Sequence, residues 1–256
     1  MQRRRPLLLT ALLTIASCAR PGTTGPLLGV EGSPEPPAGV LTARDGWAPP
    51  SNWRTLSTIE FEHLLATELP PDVVTPPGAA ALDRLAAALG EDPGAATRAA
   101  LLLARTSHPA AHRRLLERLE QRVLGPLRAS DAGDCTSAAA LARGPIAAET
   151  AERLAQLAVG PKAHPDLEVR TECATAALAL GREEVVPYLL AVLRIDTDDA
   201  LERGEHLTDS PNTAWARGRA AQALCDIAGI EHRVWTDASL PERERHALEL
   251  ETLLLK

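Results

Sequence analysis

Val169-Arg170-Thr171-Glu172-Cys173-Ala174-Thr175-Ala176-Ala177-Leu178-Ala179-Leu180-Gly181 leads into Val185-Val186-Pro187-Tyr188-Leu189-Leu190-Ala191-Val192-Leu193, and the two stretches read as a helical hairpin. The second has apolar pairs at 185/186 and 189/190 and another apolar residue at 193, the spacing of a broad buried helical stripe. Pro187 falls in or near its first turn, where a missing amide N–H costs least. The first carries the small side chains Cys173, Ala174, Ala176 and Ala177, which let a neighbouring helix approach closely. Gly181 breaks the chain between them. The pattern predicts helices near 166–180 and 183–194.

The same reading extends outward. Ala216-Arg217-Gly218-Arg219-Ala220-Ala221-Gln222-Ala223-Leu224 repeats the first-helix pattern. Thr97-Arg98-Ala99-Ala100 with Leu115, Leu116 and Leu119 repeats it more loosely, as does Ala138-Ala139-Ala140-Leu141 with Leu154 and Leu157. Helices are also expected near 58–69, 78–89, 95–106, 109–124, 133–143, 146–159, 212–228 and 240–255. The breaks carry Pro or Gly, as at Pro70-Pro71, Pro76-Pro77-Gly78, Gly90, His108-Pro109 and Gly144-Pro145. Ser57-Thr58-Ile59-Glu60 is a capping box at the first helix start. Composition agrees: Ala and Leu dominate, and only six of 256 residues are aromatic. Strands favour β-branched and aromatic side chains, whereas Ala, Leu, Arg and Glu favour helices. The expected class is all-α.

On these residues the chain resembles HEAT-repeat proteins. The match is good at 169–193, with its Val-Arg pair, alanine cluster and Val-Pro, fair at 216–228, and degenerate at 97–123 and 136–159. The resemblance implies a right-handed α-solenoid of about four to five hairpins over residues 54–256, each unit burying its apolar face on the next. A closed helical bundle is the rival, and a hairpin period of roughly 35–47 residues favours the solenoid. In HEAT units the arginine at the positions of Arg170, Arg217 and, more loosely, Arg98 commonly pairs with acidic groups of adjacent repeats, so a ladder of ion pairs is expected. Residues 228–255 are similar to the closing element after the last repeat in bacterial envelope HEAT proteins. There Trp235 would plug the core and Pro241 would sit in a first helical turn with Ser239 as cap.

The N-terminus carries a different signal. Arg3, Arg4 and Arg5 precede an apolar run from Leu7 to Ala16, which ends in Ile15-Ala16-Ser17-Cys18. The run is too short to span a bilayer, which needs roughly twenty residues, but suits a secretory leader. It resembles the lipobox of bacterial lipoproteins. That implies a signal peptide over 1–17, cleavage after Ser17 and diacylglyceryl attachment at Cys18, with the membrane reached through that lipid. Ala19 instead of Asp after the cysteine points to the outer membrane, facing the periplasm. Residues 18–53 are rich in Pro, Gly, Thr and Ser and read as a disordered tether spanning roughly 30–35 Å. Trp47 and Trp53 near its end would cap the first helix or dock on a neighbour.

Chemistry is sparse. There is no Gly-x-Ser-x-Gly, His-Glu-x-x-His, phosphate-cradling glycine loop or Cys-x-x-Cys. The net charge of −7 becomes −10 once the three leader arginines are lost, which gives no global electrostatic reason to hold nucleic acid or an anionic lipid surface. Lys162 and Lys256 are the only lysines, so lysine-based covalent chemistry is not expected. Cys135, Cys173 and Cys225 read as small core residues, although two of the three could pair in an oxidising compartment. His108 and His112 have a zinc-compatible spacing, but Pro109 starts a helix between them and no third ligand follows. The insertion from Ile195 to Thr213 carries Asp196, Asp198, Asp199, Glu202, Glu205 and Asp209 without the order of a calcium loop. It interrupts the repeat and is the candidate contact for an envelope protein partner. A non-enzymatic scaffold of the bacterial cell envelope is expected, with no cofactor, metal or small-molecule substrate. The alternative is a HEAT-like lyase or cofactor-modifying enzyme resembling bilin lyases.

Overall fold

The structure, a computed structural model, describes residues 46–122, 131–195, 210–231 and 238–255. These residues form α-helices joined by short turns and include no strand, only an isolated bridge between Trp47 and Pro77. In order they are α1 (Thr58–Glu68), α2 (Ala79–Ala88), α3 (Pro93–Arg105), α4 (Pro109–Gln121), α5 (Asp131–Leu141), α6 (Ala147–Val159) and α7 (Leu167–Ala179). A single 3-10 turn (Glu183–Val185) leads into α8 (Val186–Leu193), followed by α9 (Ser210–Ala228) and α10 (Leu240–Leu254). The all-α expectation holds. No helix among the described residues is long and apolar enough to cross a membrane.

The helix starts follow from local chemistry. Ser57 accepts the Glu60 amide at 3.3 Å while the Glu60 carboxylate accepts the Ser57 amide at 2.7 Å, so the capping box closes in both directions. Those bonds, the Ser57 contacts first, hold the Glu60 carboxyl below its usual range. Asp92 caps α3 through the Gly94 and Ala95 amides, and Asp166 caps α7 through the Val169 amide. Pro93, Pro109, Pro187 and Pro241 all fall in first turns, where the lost donor has no intrahelical acceptor to miss. At α10 the Glu242 carboxylate accepts both the Ser239 amide and hydroxyl.

Helix α3 lies on α5, α5 on α7 and α7 on α9, so helices two apart in sequence are spatial neighbours. On the other side α4 meets α6 and α8 meets α10, while α4–α5, α6–α7 and α8–α9 link the two rows. Small residues make the first row possible. A Cβ on Gly133 of α5 would stand only 3.0 Å from both the carbonyl carbon and the Cβ of Ala96 on α3. Leu189 and Leu190 are fully buried, as a second helix wedged between neighbours requires.

The ordered body reaches back before α1. Trp53 is buried in the core with the Arg54 guanidinium over its ring at 4.5 Å, and Arg54 in turn grips Glu91 through two hydrogen bonds. The Trp47 indole donates to Glu68 at 3.0 Å, and its main chain pairs with Pro76 and Gly78. Both tryptophans therefore dock on neighbouring elements. A Cβ on Gly46, whose φ is +72°, would collide with the Gly78 main chain at 2.6 Å, so this approach requires glycine.

Candidate interaction surface

Two of the three equivalent arginines, Arg98 and Arg170, meet backbone carbonyls rather than the expected acidic partners. Arg98 donates to the carbonyls of Trp53 and Leu56 at 2.9 and 2.6 Å and lies over Phe61. Arg170 donates to the Ala158 carbonyl at 2.5 Å and lies over Tyr188 at 4.4 Å. Arg217 donates to the Ile195 carbonyl at 3.0 Å. Each thus reaches backbone carbonyls just before or at the end of a preceding element. Arg98 holds carbonyls of the turn before α1. For Arg170 the reason is physical: the last carbonyls of a helix lack intrahelical donors, and a guanidinium satisfies them while complementing the helix dipole. Arg243 of α10 does the same at Leu193 and Ile195.

A ladder of ion pairs does exist, on other residues. It runs along the second helices: Asp83 with Arg114, Arg113 with Glu149, Glu120 with Arg153, and Arg194 with Glu251. These pairs join α2 to α4, α4 to α6, and α8 to α10. All are substantially exposed, so each contributes at most about 1 kcal/mol. They join neighbouring helices across their exposed sides.

Two further carboxylates are buried between helices. Glu172 of α7 receives a two-pronged grip from Arg219 of α9, at 2.9 and 2.7 Å. Asp134 of α5 accepts from Arg118 of α4 at 3.2 Å. Burial pushes the Asp134 carboxyl up to about 6 despite that arginine.

Among the described residues no disulfide joins Cys135, Cys173 and Cys225; Cys173 and Cys225 are buried and Cys135 is partly so. Burial, reinforced by nearby carboxylates such as Glu172, pushes the thiols of Cys135 and Cys173 well up, so neither is an activated nucleophile. Cys225 lies 3.7 Å from Nε2 of His246, whose Nδ1 lies 3.2 Å from Glu249. Sequence spacing gave no sign of this array, because its members come from two helices.

The histidines at 108 and 112 do not converge. His108 caps α4, its Nδ1 accepting the Ala110 amide, and His112 Nε2 bonds to the Ala104 carbonyl at 3.1 Å. Among the described residues no group of three or more His, Cys, Asp or Glu is arranged to hold a metal ion. On α10 a groove of about 380 Å³ is lined by Arg245, Leu248, Glu249, Thr252 and Leu253.

Ser17, Cys18 and Ala19 lie outside the described residues, as do Asp196, Asp198, Asp199, Glu202, Glu205, Asp209 and Trp235. Comparison with protein-family models, curated proteins and solved structures yields no match.

Proposed function

We propose that this protein is a lipid-anchored, non-enzymatic interaction module of the bacterial cell envelope, with its helices stacked as a HEAT-like right-handed α-solenoid. The observation that carries the reading is the row α3–α5–α7–α9, in which each helix packs on the next but one in sequence. Successive hairpins stacked in this way leave long free faces, and offering such faces to other proteins is what repeat stacks do. Anchoring rests on the leader and on Ile15-Ala16-Ser17-Cys18, whose cysteine would carry the lipid. The carboxylates Asp196, Asp198, Asp199, Glu202, Glu205 and Asp209 interrupt the repeat and would present a negative contact to an envelope partner.

Two measurements test this. Fatty-acid labelling should mark the native chain and leave Cys18→Ser unmarked and released from membranes; label retained by the variant refutes the anchor. Deletion of 196–211 should spare the melting transition while reducing co-purification of an envelope protein. Unchanged co-purification removes the acidic segment as the contact.

A further inference from the structure

Where the C-terminal ends of α4 and α6 meet, a cleft of about 270 Å³ is lined by Glu120, Arg122, Arg153, Gln156, Leu157 and Lys162. Three cations against one carboxylate leave it with two excess positive charges, in a chain whose net charge is −7. The single carboxylate is already held, since both Glu120 oxygens are bonded to Arg153. Lys162 forms no ion pair among the described residues, and the one side-chain bond of Arg122 runs to the Glu120 carbonyl at 3.4 Å.

Cations at helix ends ordinarily serve the terminal carbonyls, but here other donors do that work. Leu119 O receives the Arg122 amide, Gln156 O the Gly160 amide, Leu157 O the His164 amide and Ala158 O the Arg170 guanidinium. The charge of Lys162 is therefore surplus to capping, and the Arg122 guanidinium serves only the Glu120 carbonyl, at 3.4 Å. The chain is also held tightly here, because a Cβ on Gly160 would come within 2.7 Å of Gln156 O.

A second observation lies beside the cleft wall. His164, 1% exposed, is tied through its main chain to the cleft residue Leu157. Its Nδ1 accepts the Asp166 amide, which leaves the ring proton on Nε2, and that atom has no partner among the described residues. This buried N–H without an acceptor is a polar group left unsatisfied two residues along the chain from Lys162.

We propose that this cleft binds a phosphomonoester through Arg122, Arg153 and Lys162. The charge matches, because a phosphomonoester carries about −1.5 to −2 near neutral pH. Guanidinium and ammonium groups are the side chains that hold phosphate oxygens in charge-assisted hydrogen bonds. The volume admits the phosphate together with a small polar group. The same oxygens are presented by a soluble phosphomonoester and by a phosphatidic acid headgroup. This inference stands whether or not the protein is anchored or captures a partner.

The test uses the full chain carrying Cys18→Ser, so that no acyl chain at that position contributes. Glycerol 3-phosphate is titrated by calorimetry, and vesicles of phosphatidylcholine with and without phosphatidic acid are tested by co-sedimentation. Saturable glycerol 3-phosphate binding assigns the site to soluble phosphomonoesters. Binding confined to phosphatidic acid vesicles assigns it to a headgroup. In either case Lys162→Gln and Arg122→Gln, both exposed substitutions that should leave the melting curve in place, are expected to weaken binding about tenfold each. Absence of binding in both assays, or equal binding by a correctly melting Lys162→Gln/Arg122→Gln double variant, overturns the proposal.

Discussion

Arg219→Met offers the sharpest test of what joins α7 to α9. Glu172 has only 5% of its side chain exposed, and its two carboxylate oxygens are met by Arg219, which is 36% exposed. Removing the arginine leaves a carboxylate in a site where water cannot replace the lost donors. Breaking a fully buried ion pair costs about 3–5 kcal/mol, and discounting for the exposed partner gives roughly 2–3 kcal/mol here. For a body of about 200 residues that corresponds to a fall in melting temperature of roughly 5–10 °C. Glu172→Gln should cost less, about 1–2 kcal/mol, because a neutral amide keeps part of the hydrogen bonding and leaves only a half-exposed arginine unpaired. The double change Glu172→Met/Arg219→Met should recover much of the loss, since neither charge then remains to be solvated.

A deficit under about 0.5 kcal/mol in urea unfolding would refute the claim that this pair is desolvated and joins the two helices.

Three further outcomes follow from packing and titration. Leu190→Asp places a charge at a site 1% exposed, between α8 and its neighbours, and should abolish cooperative unfolding or cost several kcal/mol; a near-native melt would contradict the packing. Gly144→Ala puts a Cβ 2.0 Å from Nδ1 of buried His112, so the ring must leave the Ala104 carbonyl, and denaturant unfolding should show a loss of about 1–3 kcal/mol. Asp134→Asn should make stability fall more steeply on acidification from pH 7 to 4. In the native chain, the Asp134 carboxyl at about 6 gains stability on protonation, while His112 and His164, held below their usual range by burial, lose it below about pH 6.5; a parallel pH profile in the variant would contradict this.

The helices were legible because their signals are local. The spacing at 169–193 placed two helices, and the structure has them at 167–179 and 186–193 with Pro187 in the first turn. Ser57 and Glu60 form the box their order announces, and Ser239 opens α10 together with Glu242. Starts marked by Pro, Ser or Asp fall within a few residues of expectation, because a missing donor or a capping side chain acts within one turn. What was not legible depends on pairs far apart in sequence. Arginines 98, 170 and 217 showed their equivalence, but a regular position on a helix does not say whether the guanidinium will meet a carboxylate or a carbonyl. The same holds for Gly144 against His112, 32 positions away, and for Glu172 under Arg219. The surface charges gave no sign of the ladder on α2, α4, α6, α8 and α10, because each partner stands on a different helix.

Cys225, His246 and Glu249 show how residue types can suggest chemistry that the setting denies. Thiol, imidazole and carboxylate stand in line at 3.7 and 3.2 Å, the order found where a base activates a nucleophile. Yet the Cys225 side chain is fully buried, and it sits in the last turns of α9. A helix C-terminus favours cations, whereas reactive thiolates gather at helix N-termini or beside fixed cations with a path for substrate. His246 is itself 4% exposed, which leaves no room for an acyl or leaving group between base and sulfur. The array lies instead where α9 meets α10, alongside Arg243 reaching the carbonyls of Leu193 and Ile195. Helix α10 packs on α8 and α9 through the buried residues Ala247 and Leu250, and the buried thiol–imidazole pair adds a polar contact to that apolar one.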